Sequence, residues 1–253
     1  MGCLYGYLVP VFFLDYIENA TCCPRSRNLY HPLFIIRSKS VALRNVKGCL
    51  EPMPRIIGLT GNIACGKTSV GQILLELGAE HYIDADVIVH QLYQKGLPIA
   101  RQVAETFGVG VLASDGSVDR KALGTIVFHN ANALEELERI VHPAVRKALL
   151  DELKWVSASG IAIIDAVKLL EGGSGAQCQS KWLVVCSQEQ EIARLMARNQ
   201  LSVDEAKARV RAQPDISSKL LLIDEVINNS GSLAETRSQV VTAFGRFCEK
   251  FPV

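Results

Sequence analysis

The chain lacks several features that would place it in common structural classes. It has eight cysteines but no C-x-x-C pair, so the usual zinc-binding spacing is absent, and a chain of 253 residues needs no disulfide scaffold. The formal net charge is only +1, which predicts no basic field that would recruit nucleic acid or an anionic membrane. We therefore expect free thiols in a reducing, cytoplasmic compartment and small molecules as partners.

Long apolar runs are also missing, and the first 52 residues differ in composition from the rest. They carry six Lys/Arg against three Asp/Glu, net +3, which leaves −2 for residues 53–253. Their apolar stretch at residues 7–14 is interrupted by Pro10 and is far shorter than the roughly 20 residues of a membrane span. We interpret residues 1–52 as a poorly ordered or non-native extension and residues 53–253 as the working domain. The alternative is an amphipathic anchor for a membrane or partner.

Residues 61–68 contain a phosphate-binding pattern, G-x-x-x-x-G-K-T, between an apolar run and a helical pattern. Backbone N–H groups of such a loop can wrap an anion, while Lys67 can reach the β- and γ-phosphates of a nucleotide and Thr68 can offer a hydroxyl to Mg²⁺. The pattern predicts binding of a nucleotide together with Mg²⁺. The predicted nucleotide-binding residues are Gly61, Asn62, Ile63, Ala64, Cys65, Gly66, Lys67, Thr68 and Ser69.

Alternating apolar runs and helical patterns predict the fold. Strand character recurs at residues 56–60, 81–83, 161–165, 182–186 and 225–227, whereas residues 98–156 are helical in pattern. Ser187, Ser202 and Ser232 each precede a Gln or Glu by three residues, which predicts three capping boxes. We expect an α/β protein with a three-layer parallel sheet, a helical insertion at about residues 98–156 and a helical lid at about 187–214.

Further residues favour a kinase among the proteins that use such a loop. The sequence contains no N-K-x-D segment, which would recognise guanine, and no L-S-G-G-Q segment, which is typical of a transporter ATPase. Asp84 and Asp86 follow the second strand, where a carboxylate could accept a hydroxyl proton during phosphoryl transfer, although both could also cap the next helix. Arg194 and Arg198 share one helical face and could neutralise phosphates.

Several motifs in order resemble the dephospho-coenzyme A kinase family over about residues 54–245. They are G-L-T-G at 58–61, I-D-A-D at 83–86 with His90, D-R-K-A-L at 119–123, H-P-A-V at 142–145, Gln213, and D-E-V-I-N-N-S-G at 224–231. The resemblance implies a P-loop kinase that transfers the γ-phosphate of ATP to the ribose 3′-hydroxyl of dephospho-CoA, the last step of coenzyme A synthesis. A monomer or weak oligomer is expected.

The same resemblance implies roles for individual residues. Asp86 would accept the hydroxyl proton, and Asp84 would support it or belong with Thr68 to the Mg²⁺ shell. Charge on the transferring group would be stabilised by Lys67, Arg194 and Arg198. The acceptor would be held by Asp86, His90, Arg120, His142 and Lys168.

The chain departs from the family pattern in three motifs, of which the change to Ile223-Asp224 from A-D before the last strand is mild. Where the family loop reads G-G-I-G-S-G-K, this chain has Asn62, Ala64 and Cys65; Asn62 tolerates positive φ, whereas Ala64 is expected to have ordinary backbone angles. Cys65 is either a small loop residue or a redox-sensitive thiol. Where the family reads D-x-P-L-L-x-E, Val167 and Lys168 replace proline and leucine, so Lys168 either alters the acceptor pocket or adds a phosphate contact.

Two other functions remain open at this point. The chain could be a nucleoside or nucleotide kinase with a different acceptor. It could also be a P-loop regulatory protein that binds ATP without transferring a phosphate, which the changes at Val167 and Lys168 could reflect.

Overall fold

The described residues form a parallel sheet of five strands in the order β2-β3-β1-β4-β5. The computed structural model describes residues 53–127, 130–170, 173–213 and 220–252, so the prediction for residues 1–52 lies outside the described part. The strands are β1 (Arg55–Gly61), β2 (His81–Asp84), β3 (Ile161–Asp165), β4 (Ser180–Val185) and β5 (Glu225–Asn228). The predicted strands are therefore confirmed, with shifts of one or two residues at their ends.

Helices follow the strands on both faces of the sheet. They are α1 (Lys67–Glu76), α2 (Ala85–Leu92), α3 (Pro98–Phe107), α4 (Arg120–Val127), α5 (Ala131–Leu153), α6 (Gln188–Asn199), α7 (Val203–Arg211) and α8 (Leu233–Lys250). Short 3₁₀ turns lie at Val109–Val111, Ser174–Gln177 and Leu220–Leu222.

The side chains of β1 point alternately into two separate hydrophobic cores. Ile56 belongs to a core with residues of α2 to α5, whereas Ile57 and Leu59 belong to a core with residues of α1 and α8. Because successive residues of a strand face opposite sides, one buried strand can serve both cores. The predicted three-layer α/β architecture is confirmed, and β1 delivers the chain to the phosphate loop from the middle of the sheet.

The predicted capping boxes are confirmed at two of three helix starts. Ser202 and Ser232 accept from the backbone N–H three residues on, and the glutamates at those positions bond back. Ser187 also caps its helix, but the Gln190 side chain donates to the carbonyl of Ser230 over 2.7 Å instead of returning to Ser187. The prediction of a capping box at Ser187 was therefore wrong, because the Gln190 side chain instead joins α6 to the segment after β5.

Candidate active site

The phosphate loop runs from the end of β1 to the start of α1. Gly66 is the N-cap of α1 with φ 98°, and no side chain caps this helix end. A helix N-terminus without a capping side chain presents backbone N–H groups and the positive end of the helix dipole to an anion. Thr68 and Ser69 are exposed in the first turn. The loop is thus shaped for a phosphate group.

The backbone of the loop corrects one expectation from the sequence. Ala64 has φ 60°, a left-handed conformation, whereas Asn62 has no positive φ. We expected the reverse, because asparagine tolerates this region better than alanine. The loop keeps the conformation that a glycine would favour, and Ala64 therefore carries a strain of about 1 kcal/mol.

Lys67 is buried at the centre of the loop and is 4% exposed. Its Nζ donates to the backbone carbonyl of Gly61 over 3.1 Å. Lys67 also lies close enough to Asp86 and Asp165 to lower the pKa of both carboxyl groups. Lys67 is therefore enclosed, because the loop folds around its ammonium group.

A cluster of three aspartates faces Lys67. Asp84 ends β2 and lies opposite Asp165, the last residue of β3, while Asp86 lies in the first turn of α2. Asp86 is 8% exposed and Asp165 is 1% exposed. Burial and the charges of Asp84 and Asp165 together raise the pKa of Asp86 to about 8, although Lys67 opposes them. A carboxyl group with this pKa is suited to proton transfer near neutral pH.

Asp84 caps the helix that carries Asp86. Its Oδ1 accepts from the backbone N–H groups of Asp86 over 2.9 Å and Val87 over 3.1 Å. The capping role considered from the sequence is confirmed. It does not compete with a role at the active site, because the same bonds hold the start of α2 and therefore the backbone of Asp86.

Asp165 belongs to the site, although sequence reasoning gave it no role. Burial raises its pKa to about 6, whereas Lys67 and a 2.5 Å hydrogen bond from the Tyr82 hydroxyl lower it. Its Oδ1 is buried and has no hydrogen-bond partner among the described residues. A usable signal was present in the sequence, since Asp165 is the single charged residue at the end of an otherwise apolar strand.

Arg194 and Arg198 of α6 occupy two different positions. Arg194 donates to the backbone carbonyls of Ala64 over 3.1 Å, Cys65 over 3.2 Å and Asn229 over 3.3 Å, so it holds the phosphate loop against α6. Arg198 lies one turn later and its Nε donates to the side chain of Asn199. Both arginines line a cavity of about 430 Å³ with Lys67 and other loop residues.

The phosphate loop also contacts the α6–α7 region through Ile63. The Ile63 side chain packs with Leu195, Ala206 and Val210 in a small core of helices α6 and α7. Its backbone N–H donates to the Gln213 side chain over 2.6 Å. These contacts couple the position of the loop to that of α6 and α7.

Two buried residues beneath the loop were also missed as site residues. Asn229 donates to the carbonyl of Cys65 over 2.9 Å and accepts from Thr236 over 2.9 Å. Glu191 lies near Lys67 and Arg194, and burial raises its pKa to about 7 while both cations lower it. These residues come from distant segments, so only the folded chain brings them to the loop.

A second, narrower cavity of about 60 Å³ includes Asp86 in its lining. Its walls are mostly apolar and come from α2, α5 and the segment after β3, and its polar lining includes Asp86, Glu138, His142 and Lys168. Lys168 pairs with Glu138 over 2.8 Å. Asp86 thus lies at the end of a pocket, and Lys67 of the neighbouring cavity is close enough to act on it electrostatically.

His90 and Arg120 lie near each other, but outside the lining of the narrow cavity. In the part of the chain that is described, neither residue lines the narrow cavity. Burial and the nearby charge of Arg120 lower the pKa of His90. Of the predicted acceptor residues, the structure therefore groups Asp86, His142 and Lys168 in one pocket and His90 and Arg120 in a separate cluster.

Cys65 lies inside the core beneath the loop. The side chain is fully buried, and burial raises its pKa, with Lys67 opposing. Reactive thiols are exposed and have lowered pKa values. Of the two readings left open by the sequence, the structure favours a small packing residue over a redox-sensitive thiol.

The residues of the site fit Mg²⁺. Asp165 has a buried oxygen without a partner among the described residues, and Thr68, Asp84 and Asp165 offer the oxygen ligands that this ion prefers. No group of three or more acidic, histidine or cysteine side chains forms a closed metal site within the described ranges. Mg²⁺ commonly uses only one or two carboxylates and takes its other ligands from substrate phosphates and water.

Comparisons with known proteins agree with this geometry. A family model described as dephospho-CoA kinase matches residues 55–235. The chain is 44% identical to the dephospho-CoA kinase of Carboxydothermus hydrogenoformans over 74% of this chain and 91% of that protein. It is 43% identical to the dephospho-CoA kinase of Symbiobacterium thermophilum over 77% and 82%.

Solved structures with similar folds include two bacterial proteins. The protein TT1252 from Thermus thermophilus is 31% identical with a TM-score of 0.67, over 77% of this chain and 98% of the other. The dephospho-CoA kinase from Campylobacter jejuni is 29% identical with a TM-score of 0.55, over 78% and 99%.

Proposed function

The chain belongs to the dephospho-CoA kinase family, and we propose that it transfers the γ-phosphate of ATP to the ribose 3′-hydroxyl of dephospho-CoA. One observation carries the proposal. Asp86 lines an apolar pocket whose walls would have to part to receive a nucleoside, and it lies within electrostatic reach of Lys67 in the phosphate loop. A hydroxyl next to Asp86 would therefore face a phosphate next to Lys67.

The side chains divide the work of the reaction. The 3′-oxygen forms a bond to the γ-phosphorus, the bond from that phosphorus to the bridging oxygen of ADP breaks, and a carboxylate oxygen of Asp86 takes the hydroxyl proton. Lys67 and Arg198 stabilise the negative charge on the transferring group. Arg194 positions the loop through its three backbone contacts and adds a positive charge.

Magnesium is part of this proposal. Thr68 and Asp84 would hold the ion, and the oxygen of Asp165 without a described partner is a further ligand candidate. The bound ion would neutralise charge on the phosphates. Asp84 would then serve both the metal and the backbone of Asp86.

Two parts of the domain assignment also remain proposals. The helices between residues 98 and 156 would form the acceptor side, since α5 carries His142. Helices α6 and α7 would form the lid, since they carry both arginines of the larger cavity. Within the described residues, no helix has the length and apolarity needed to cross a bilayer.

A product assay tests the proposal directly. The protein is supplied with ATP, Mg²⁺ and, separately, dephospho-CoA, AMP, pantetheine or water as acceptor, and the products are separated by chromatography. We expect coenzyme A and ADP in equal amounts. Preferred turnover of AMP would favour a different nucleotide kinase. ATP binding without transfer to any acceptor would favour a regulatory protein.

The pH dependence of kcat/KM is a second test of the role of Asp86. A base works only when it is deprotonated, so the rate must rise as the pH passes the pKa of Asp86, about 8 in the free protein.

The substitution Asp86→Asn is a third test. It removes the base, and we expect kcat to fall about a hundredfold or more with little change in ATP affinity. The reverse ranking, with Asp84→Asn far worse than Asp86→Asn, would exchange the two roles.

A further inference from the structure

The walls of the narrow cavity beside Asp86 are tied together by one ion pair. Glu138 lies on α5 and Lys168 lies on the segment after β3, and their side chains meet over 2.8 Å. The lysine side chain is 18% exposed and the glutamate side chain is 36% exposed. Both residues line the cavity.

The cavity is too small for a nucleotide in this arrangement. Its volume is about 60 Å³, whereas ligand sites usually measure roughly 300 to 1,000 Å³. An acceptor must therefore move the two walls apart. Separation lengthens the contact between Lys168 and Glu138, because the two residues stand on opposite walls.

The charges in this pocket pose a problem for an anionic acceptor. Asp86 and Glu138 are both acidic, and the other polar side chains of the lining are those of His142, Lys168 and Ser174. A phosphate brought next to Glu138 would be repelled unless a cation intervened. An ammonium group has three donors and can hold a carboxylate and a phosphate oxygen together.

We propose that Lys168, paired with Glu138 across the narrow cavity, is the residue that binds the pyrophosphate of the acceptor when the walls part. The inference rests on the proposed function and adds how the site selects its acceptor. Through Lys168, the site favours acceptors that carry phosphate over the bare nucleoside. Glu138 keeps Lys168 at the pocket and competes with the ligand for it. Lys168 stands where the family motif has leucine, and it thus provides a binding site for an anion in a wall that is otherwise mostly apolar.

Binding measurements test this without relying on turnover. Calorimetry in the presence of Mg²⁺ and a non-hydrolysable ATP analogue gives the affinity for dephospho-CoA and for adenosine. We expect Lys168→Met to weaken dephospho-CoA about tenfold or more, because a charge-assisted hydrogen bond is lost, and to change adenosine affinity by less than about twofold. Lys168→Arg should retain most of the affinity. Glu138→Gln should tighten dephospho-CoA by about threefold, because the competing carboxylate is gone.

A matched control lies at the C-cap of α5, the helix that carries Glu138. Lys154→Met breaks the ion pair between Lys154 and Asp151 there and should leave both affinities unchanged. Equal weakening of dephospho-CoA and adenosine by Lys168→Met would assign Lys168 a purely structural role and overturn the inference. So would no change for either ligand. If adenosine binding is too weak to detect in the wild-type protein, the dephospho-CoA affinities decide: a loss in Lys168→Met that Lys168→Arg restores supports the inference, and an equal loss in both variants overturns it.

The two proposals can fail separately. Dephospho-CoA that binds through Lys168 but is never phosphorylated would refute the proposed function and keep the anion subsite. Normal coenzyme A synthesis with dephospho-CoA affinity unchanged in Lys168→Met would keep the function and refute the subsite.

Discussion

The side-chain amide of Asn229 donates to the backbone carbonyl of Cys65 over 2.9 Å, joining two residues that are 164 positions apart. Asn229 follows β5 and is itself held by the hydroxyl of Thr236. A Cβ atom built on Gly66 would lie only 2.0 Å from the same amide nitrogen, so the loop glycine is required by this contact as well as by its positive φ. The conformation of the phosphate loop therefore depends on the segment after β5, the edge strand of the sheet.

We expect Asn229→Ala to damage both stability and nucleotide binding. The change removes two buried hydrogen bonds and should lower the free energy of unfolding by about 1 to 3 kcal/mol, measured by urea denaturation. A displaced loop should also raise KM for ATP about tenfold. Asn228→Ala, at the exposed neighbouring residue, is the control and should affect KM little. Equal KM effects from both changes would contradict the role given to Asn229.

Asp86→Asn should make the ligand-free protein more stable at high pH. The pKa of Asp86 rises from an ordinary 3.8 to about 8 on folding, so its contribution to stability is present below about pH 4 and is lost as the pH rises through about 8. We expect a gain of about 2 kcal/mol or more at pH 8.5 and little change at pH 4, measured by denaturant unfolding. A gain that is equal at both pH values would show that Asp86 does not titrate in this range.

Lys67→Ala should abolish transfer. Lys67 faces the phosphates and lowers the pKa values of Asp86 and Asp165, so its removal should raise both pKa values. We expect turnover to fall about a hundredfold or more, and the rise of any remaining activity with pH to shift to higher pH. Steady-state kinetics between pH 6 and 9.5 would measure both effects. Lys207→Ala, on the exposed face of α7, is the control. Near-normal turnover in Lys67→Ala would refute the assignment of the loop.

Ala64→Gly should stabilise the protein. Ala64 has φ 60°, and glycine adopts this conformation without the steric cost of a Cβ atom. We expect a gain of about 0.5 to 1 kcal/mol by thermal or urea unfolding. Ala104→Gly, inside α3, should have the opposite sign and cost about 1 kcal/mol. Destabilisation at both positions would indicate that the loop does not hold Ala64 in the left-handed region.

Expression from Met53 should leave the catalytic domain intact. The family model begins at residue 55, and the first described strand begins at Arg55. We expect the shortened protein to keep the thermal midpoint and the kinase rate of the full chain, and neither form to partition onto anionic vesicles. A midpoint several degrees lower, or loss of most of the activity, would show that residues 1–52 belong to the working protein.

The sequence alone was sufficient for the features that depend on local chemistry. A glycine-rich loop between an apolar run and a helical pattern identifies a phosphate site, because the backbone geometry needed there restricts the residues. Alternation of strands and helices predicted the three-layer sheet, and the motif order predicted the family. Asp84, Asp86, Lys67 and Thr68 could be named because they lie next to the loop or at the end of a strand.

Only the tertiary structure decided the features that depend on residues far apart in the chain. The burial of Lys67, the cluster that raises the pKa of Asp86, and the contact from Asn229 to Cys65 all arise where separate strand ends meet at one edge of a parallel sheet. The left-handed Ala64 shows the same limit, since tertiary contacts override a local backbone preference of about 1 kcal/mol. The pair between Lys168 and Glu138 could not be read from spacing, because packing of α5 against α2, in the core that includes the end of β3, is what places them 2.8 Å apart.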